Sequence, residues 1–209
     1  MTPRGRPRGF DRHQALIVAT RLFWARGYDG TSVSDLTSAM DISPSSFYAA
    51  FGDKKSLFAE AVQDYMQRYT AIYIEAVACP TAREAAKRIL DDSIDEFTDE
   101  DRPMTCLVVS AAIHGGADTI DVRRALEDHQ RALAAILAER IDVDKDAGRL
   151  DATLDTATLT AWVRTVWEGL SNQSNAGVPR AQLHAIAALA MSAWPDSPLP
   201  KAKRRPRTR

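Results

Sequence analysis

The stretch DRHQALIVATRLFWARGYDGTSVSDLTSAMDISPSSFYAAFGDKKSLFAEAV, residues 11–62, decides the fold of this 209-residue chain. Apolar side chains recur at helical spacing over residues 11–26, which predicts an amphipathic helix there. A second helix is expected over about 33–40, because Thr31 or Ser32 offers a hydroxyl that can cap its free amide groups. The first half of the stretch therefore predicts two helices joined by a short connection.

Two further helices follow in the same stretch. Ser43 is placed to cap a third helix, and Pro44 then occupies the first helical position, where proline is tolerated. Asp53 is placed to cap a fourth, longer helix. A tight turn around Asp41 and Ile42 separates the second and third helices, which is the arrangement of a helix-turn-helix.

The rest of the chain predicts more helices. They are expected over about 81–98, 119–141, 155–175 and 179–194, where apolar residues recur at helical spacing. Residues 104–114 form an apolar stretch whose composition also suits a strand, but the helical context favours a helix. The predicted fold class is therefore all-α, with an N-terminal three-helix helix-turn-helix head followed by a larger helical domain.

The expected domain organisation has three parts. Residues 1–53 would form the head together with a basic N-terminal arm, and residues 54–195 would form the larger helical domain. Residues 196–209 hold six Lys/Arg, one acidic residue and few apolar side chains. Because such a segment cannot bury enough apolar surface to fold, a disordered basic tail is predicted there.

The net charge of −1 conceals an uneven distribution. Residues 1–60 hold eight Lys/Arg and six Asp/Glu, whereas residues 61–195 hold 13 basic and 21 acidic residues. Basic ends on an acidic body favour contact with a polyanion, either nucleic acid or an anionic membrane surface. The sequence shows neither a transmembrane run nor a signal-peptide core, and two cysteines suit a reducing compartment. A cytoplasmic protein that contacts no membrane is therefore expected.

Residues 15–57 resemble the TetR family of bacterial repressors. The matching positions are Ala19-Thr20-Arg21-Leu22-Phe23, Gly27-Tyr28, Thr31-Ser32-Val33, Asp35-Leu36, Ile42-Ser43, Phe47-Tyr48, Phe51 and Lys54-Lys55-Ser56-Leu57. Their spacing is unbroken, although this chain has Asp41 where the family usually has Gly in the turn. The resemblance therefore implies a left-handed backbone at Asp41, which Asp tolerates better than most residues. The resemblance implies a dimeric DNA-binding transcription regulator of bacterial cytoplasm, a repressor whose larger domain binds a ligand and dimerises.

The resemblance also implies a set of DNA contacts. The third helix would enter the major groove with small side chains facing the bases, and Tyr48 would place its phenol on a phosphate. The alternative for Tyr48 is a core position. Thr31 and Lys54 each lie near the start of a helix, where a phosphate would complement free amides or the lysine charge. The predicted contacts within the head are Thr31, Pro44, Ser45, Ser46, Tyr48, Ala49 and Lys54.

The basic ends of the chain carry two further hypotheses. Arg4, Arg6 and Arg8 alternate with Gly and Pro, which suits either a flexible arm in the minor groove or a solvated leader. The basic residues within 201–209 suit either nonspecific DNA contacts or, as the favoured interpretation, a solvated tail. Neither segment contains enough apolar residues to suggest a fold of its own.

Residues 60–175 are expected to surround a ligand cavity. Cys106 is the sharpest candidate, because a stabilised thiolate can be oxidised or alkylated; an inert buried thiol is the favoured alternative. Residues 104–194 loosely resemble a TetR branch that responds to electrophiles or metals, with Thr105 where that branch has Gly. An aromatic residue or Met at helical spacing is more often an ordinary core residue than a ligand contact. The predicted ligand contacts are Tyr69, Met104, Cys106, His114, Trp162 and Trp167.

The family resemblance implies that the last two helices of each subunit pack into a four-helix bundle. Residues 155–175 and 179–194 would then join two copies into a homodimer that binds a palindromic operator in double-stranded DNA. The alternative is that the same side chains form the core of a single chain. The predicted seam consists of Trp162, Val166, Leu170, Leu183, Ile186, Leu189 and Ala190.

Other functional classes leave no signature in the sequence. It contains no Gly-rich phosphate loop, no nucleophile elbow and no Cys/His metal spacing, so no enzymatic activity, cofactor or metal is expected. The expected partners are DNA, a second copy and a small apolar or reactive inducer. The alternative is an architectural or partner-controlled DNA-binding protein without a small-molecule ligand. An enclosed apolar cavity within residues 60–175 would favour the ligand-responsive protein, and a solid core would favour the alternative.

Overall fold

A computed structural model describes residues 10–99 and 119–195, and every regular element in these ranges is a helix. The helices are α1 Arg12–Arg26, α2 Val33–Ala39, α3 Pro44–Phe51, α4 Lys54–Val77, α5 Ala82–Phe97, α6 Ile120–Asp146, α7 Thr156–Asn175 and α8 Arg180–Met191. The predicted all-α class is confirmed. Within the same ranges, none of the helices combines the length and apolarity that a membrane span requires. The stretch 104–114 lies outside the described residues.

The helix starts follow local hydrogen-bonding chemistry. The side chains of Ser43 and Asp53 cap α3 and α4, as the sequence predicts. Of the two candidate caps of α2, the structure uses Ser32, whose hydroxyl accepts a hydrogen bond from the N–H of Asp35 at 3.1 Å. The Asp35 carboxylate accepts in turn from the N–H of Ser32 at 2.9 Å. This reciprocal capping box sets the first turn of α2.

Helix α6 runs five residues past its predicted end at 141, to Asp146. Its last turns contain Asp144, which is 1% exposed and accepts a hydrogen bond from the N–H of Ala82 at 2.7 Å. The other carboxylate oxygen lies 3.0 Å from the Arg140 guanidinium and 2.8 Å from that of Arg149. A buried carboxylate is tolerated when it is paired and hydrogen-bonded in this way. Asp144 therefore ties the start of α5 to the end of α6.

Helix α4 is shared by the head and the larger domain. Its first turns bury Leu57 and Phe58 in the head, where the rings of Phe58 and Phe23 lie 5.0 Å apart. Its later turns pack against α5 and α6. The buried apolar side chains form one continuous cluster that extends from α1 to α8. The expected domain boundary at 53–54 thus coincides with the cap of a helix that contributes to both parts.

Candidate nucleic-acid interface and ligand cavity

The turn between α2 and α3 sets the direction in which α3 leaves the head. Asp41 has a φ of 53°, which is the left-handed backbone expected for it. The N–H of Ile42 donates to the carbonyl of Thr37 at 3.1 Å, and the N–H of Asp41 donates to that of Ser38 at 3.3 Å. These two bonds form a Schellman turn, which satisfies the last carbonyls of α2. The helix-turn-helix angle is therefore defined by backbone hydrogen bonds.

Helix α3 has one buried face and one exposed face. Phe47 and Phe51 are buried in the head and hold the helix against it. Tyr48 is 54% exposed, and its ring lies edge-on to that of Phe47 at 5.3 Å. Tyr48 is therefore not a core residue, and its phenol is accessible from outside the chain. The exposed face comprises Pro44, Ser45, Tyr48 and Ala49.

Three serine hydroxyls meet at the start of α3. The Ser43 Oγ accepts a hydrogen bond from the N–H of Ser46 at 3.1 Å. It also lies 2.9 Å from the hydroxyl oxygens of both Ser45 and Ser46. Hydroxyl protons rotate, so each oxygen can donate to or accept from an outside partner. Ser45 is exposed whereas Ser46 is half-buried, and Ser45 is accordingly the better placed of the two predicted base contacts.

Thr31 differs from its predicted role. The residue is fully buried, and its hydroxyl donates to the carbonyl of Gly27 at 2.8 Å. Thr31 therefore has no exposed surface that it could offer to DNA, and Ser32 rather than Thr31 caps α2. The physical reason is the carbonyl left free at the end of α1, which the Thr31 hydroxyl satisfies.

Lys54 is also engaged within the head. Its ammonium donates to the carbonyls of Tyr28 and Thr31, both at 3.1 Å, and lies 4.1 Å from the centre of the Tyr28 ring. These groups supply the compensation that the sequence assigned to a bound phosphate. Lys54 thus fastens the start of α4 to the loop between α1 and α2. Arg4 and Arg6 lie outside the described residues.

A narrow, partly enclosed cavity lies between α4, α6 and α7. Its lining includes a row of tyrosines on α4, three leucines on α6 and a tryptophan of α7. The space open to a water-sized sphere is about 40 Å³, which exceeds the roughly 10–15 Å³ that one water needs. The aromatic and leucine lining residues are Tyr65, Tyr69, Tyr73, Leu126, Leu133, Leu137 and Trp167.

A few polar groups interrupt this apolar lining. The Nε2 atom of His129 and the Nε1 atom of Trp167 are buried, and neither has a hydrogen-bond partner among the described residues. Burial lowers the pKa of His129, because the charged imidazolium is poorly solvated there. The Arg164 guanidinium donates to Glu168 at 2.7 Å and to Gln130 at 2.9 Å. Two residues of the cavity lining therefore hold a buried nitrogen with unused hydrogen-bonding capacity.

Of the six predicted ligand contacts, two line the cavity, one does not, and three lie outside the described residues. Tyr69 and Trp167 line the cavity, with rings 5.5 Å apart and nearly perpendicular. Trp162 is not among the lining residues and instead packs on Trp194, at 6.0 Å between ring centres. Its assignment to the cavity is wrong, because five residues along a helix turn the side chain by about 140° away from that of Trp167. The remaining three, Met104, Cys106 and His114, lie outside the described residues.

Most of the lining residues, among them Tyr73, His129 and Arg164, were not predicted from the sequence. Tyr73 follows the other two tyrosines at the four-residue spacing of one helix face, and this signal was present in the sequence. Burial raises the pKa of Tyr73 to about 12, so its phenol stays protonated. His129 and Arg164 also line the cavity. The sequence around these two residues does not indicate a cavity, because most of the residues that line the cavity with them belong to other helices.

The core faces of α7 and α8 differ from the predicted seam. Leu170 and Leu183 are 2% and 0% exposed and belong to the core of the chain itself. Their assignment to a subunit interface is therefore wrong. Helices α7 and α8 also pack against α5, so their most apolar positions are already covered within one chain.

The opposite side of these two helices remains accessible. Ile186 and Leu189 of α8 are 38% and 74% exposed. Gly169 of α7 is exposed as well, and a Cβ built on it would meet no atom within 4 Å. Three further residues of the predicted seam, Trp162, Val166 and Ala190, are half-buried. The chain thus presents apolar side chains and one bare stretch of helix backbone on its α7–α8 side.

Comparison with known proteins gives a consistent result. Residues 16–61 match the family model described as bacterial regulatory proteins, tetR family. A solved structure of a double cysteine mutant of the TetR family transcriptional regulator CifR, complexed with 26-base-pair double-strand operator DNA, is 39% identical to this chain. That similarity covers 91% of this chain and 100% of the other, with a TM-score of 0.78.

Curated relatives agree with this structural similarity. The HTH-type transcriptional repressor ComR of Escherichia coli (strain K12) is 27% identical over 199 residues, which cover 92% of this chain and 93% of that protein. The HTH-type transcriptional repressor BdcR of the same organism is 44% identical over 62 residues, 30% of this chain and 32% of that protein. The chain belongs to the TetR family of bacterial transcriptional regulators.

Proposed function

We propose that this protein is a homodimeric repressor that binds a palindromic operator and releases it when a small molecule occupies the cavity between α4, α6 and α7. It acts in the bacterial cytoplasm as a regulator and not as an enzyme. The relatives support the direction of control, because ComR and BdcR are both named repressors. The complex of CifR with operator DNA supports the DNA partner.

The exposed face of α3 is the observation that carries the DNA-binding part of the proposal. In the major groove, the Ser45 hydroxyl would bond to a base edge, and Pro44 and Ala49 would pack on thymine methyl groups. The exposed phenol of Tyr48 would donate to a phosphate, which positions the helix without reading sequence. With no Arg or Asn on this face, the discrimination at each base pair is modest.

The accessible side of α7 and α8 supports a dimer. A palindromic operator requires two heads related by a twofold axis, and a symmetric interface on this side would supply it. Leu189 and Ile186 would then lose their exposure to water, which is the driving force for association. Glycine inside a helix costs about 1 kcal/mol relative to alanine. Gly169 would offset that cost by allowing a partner helix to approach closely.

Helix α4 provides a route from ligand to DNA. Its first turns pack in the head, and its later turns supply the tyrosine wall of the cavity. A ligand that displaces the tyrosines would favour a conformer with α4 and the heads moved apart, away from the operator spacing. Modification of Cys106 is a second route to the same conformer. The cavity supports this ligand-responsive function over an architectural protein, for which a solid core is expected.

The test is selection of bound sequences from random duplex DNA with the full-length chain at fixed salt. We expect an enriched palindrome, because two symmetric heads read two half-sites about one helical turn apart. Binding that depends on salt without any enriched sequence would contradict the proposal, since phosphate contacts alone would then account for the affinity.

The dimer is tested by placing a charge on its seam. Leu189→Glu should convert the dimer to a monomer in sedimentation and abolish binding to the selected palindrome, because the charge would be buried in the interface. Ile74→Glu is the matched control, since Ile74 is an equally large apolar residue, 56% exposed, that belongs to α4 and not to α7 or α8. The proposed seam is wrong if the Leu189 variant remains a dimer or if the control dissociates equally.

A further inference from the structure

We infer that the cavity between α4, α6 and α7 recognises an uncharged, single-ring aromatic compound that carries a hydrogen-bond-accepting oxygen. This inference rests on the proposed function and names the ligand class of that site. It depends on four properties of the described lining, which are its aromatic walls, one residue with an unsatisfied donor, the lack of a free charge among these residues, and the small volume that they leave.

The walls favour an aromatic ring. Tyr65 and Tyr69 lie 4.5 Å apart between ring centres, and Trp167 stands nearly perpendicular to Tyr69 at 5.5 Å. Phe97 contacts the same tryptophan from behind, at 5.3 Å. Aromatic rings prefer tilted and edge-to-face neighbours at these separations. A further ring placed among the three cavity residues would repeat the geometry that they already adopt with one another.

The indole of Trp167 specifies an acceptor. Trp167 is only 8% exposed, and its Nε1 atom has no partner in the part of the chain that the structure describes. An indole N–H can only donate a hydrogen bond, so a ligand that satisfies it must present a lone pair. A buried donor left unpaired is costly, and a ligand oxygen would remove that cost. His129 Nε2 does not specify whether the ligand group must be a donor or an acceptor, because a neutral imidazole nitrogen either donates or accepts.

The charges around the cavity favour a neutral ligand. No Asp or Glu is among the described residues that line it, so a cationic ligand would lack a counter-charge. The one lining cation, Arg164, already donates to Glu168 and Gln130. An anionic ligand would have to compete with Glu168 for that guanidinium. Burial also lowers the pKa of His129, which removes a second possible positive charge.

The small volume of the cavity allows at most one ring. Entry of that ring must also move side chains of α4. The space open to a water-sized sphere is about 40 Å³, whereas an engineered cavity that binds benzene measures roughly 150 Å³. A ring can therefore enter only if side chains of the walls move. The row of Tyr65, Tyr69 and Tyr73 belongs to the helix that also builds the head. Entry of the ligand would thus act directly on the helix that carries the signal.

The test is calorimetric titration of the full-length protein, without DNA, using acetophenone, ethylbenzene and benzoate as probes. Acetophenone and ethylbenzene have similar shapes, but only the ketone offers an acceptor to the indole N–H. We expect acetophenone to bind about tenfold more tightly than ethylbenzene, and benzoate to bind more weakly than acetophenone. Equal binding of ketone and hydrocarbon, tighter binding of benzoate, or no binding of acetophenone would overturn the inference.

Two tryptophan variants test whether Trp167 is the source of the preference for acetophenone over ethylbenzene. Trp167→Phe keeps an aromatic ring but removes the N–H, so the preference for acetophenone over ethylbenzene should disappear. Trp194→Phe is the matched control, because Trp194 is also buried with an unpartnered Nε1 but does not line the cavity. The control should keep the tenfold preference. A preference that survives in Trp167→Phe, or is lost in Trp194→Phe, would contradict the assigned donor.

Operator binding is measured separately on the same protein preparations. Retention of palindrome binding together with failure to bind acetophenone would overturn the ligand class while leaving the proposed repressor intact. Acetophenone binding by a protein that selects no palindrome would support the cavity assignment and contradict the proposed repressor. Acetophenone that binds and also weakens operator affinity would support both.

Discussion

Two aromatic clusters lie along α4 and are packed differently. In the head, Phe23 and Phe58 are fully buried with rings 5.0 Å apart, and the Lys54 ammonium lies against the neighbouring Tyr28 ring. In the larger domain, the tyrosines of α4 and Trp167 leave a cavity, and the indole nitrogen has no partner among the described residues. The described head residues thus pack ring against ring, whereas the larger domain keeps unfilled space.

This difference suits a division of labour along one helix. A DNA-reading head must hold α3 at a constant angle, and a close-packed core resists deformation. A ligand-sensing domain must admit a molecule and change shape, which requires space and groups that a ligand can satisfy. Trp24 of α1 and Tyr65 of α4 connect the two clusters, with ring centres 6.3 Å apart. Substitutions should therefore have unequal effects in the two clusters.

The largest effect is expected from emptying the head cluster. Phe58→Ala should lower the free energy of unfolding by about 3–5 kcal/mol, because the residue is fully buried and its neighbours cannot collapse into the void. Denaturant unfolding measures this loss. A decrease below about 1 kcal/mol would indicate that the head core relaxes easily, and the contrast with the larger domain would then fail.

An intermediate effect on stability is expected when alanine is replaced by leucine, once in the head and once at the cavity wall. Ala19→Leu, at a fully buried position in the head, should destabilise the protein by about 1–3 kcal/mol through overpacking. Ala134→Leu places its side chain at the half-buried cavity wall and should change stability by less than about 0.5 kcal/mol. It should also prevent acetophenone binding by filling the space. Similar losses of stability for both variants would show that the cavity region is packed as tightly as the head.

The smallest effect is expected at the turn between α2 and α3. Asp41→Gly should stabilise the protein by at most about 1 kcal/mol, because glycine adopts the positive φ without strain. Asp41→Asn separates charge from conformation, since Asn also tolerates this backbone. Both variants should bind operator DNA more tightly at low salt than the original chain, because a negative charge is removed near the phosphates. Tighter binding by the Gly variant alone would assign the effect to the backbone.

Much of the head could be predicted from sequence because its determinants are local. Ser43 and Asp53 cap helices that begin one residue later, and a tight turn requires a residue such as Asp41 that tolerates positive φ. These hydrogen bonds join residues at most five positions apart, so the donor and the acceptor both lie within the same short stretch of sequence.

Other features could not be predicted, because the interacting residues are distant in sequence. Lys54 bonds to the carbonyl of Tyr28, 26 positions away, and the end of α6 depends on the contact between Asp144 and Ala82. Leu170 and Leu183 satisfy the spacing of an interface and of a core equally well, and burial alone decides between them.

The sequence by itself determined the all-helical class and the helix-turn-helix, because helical periodicity and capping are properties of neighbouring residues. Only the tertiary structure decided which aromatic residues fill the core and which line the cavity. It also decided that the indole of Trp167 would be buried without a partner among the described residues. The physical reason is that a cavity is made by three helices from separate parts of the chain, and its shape depends on how they pack.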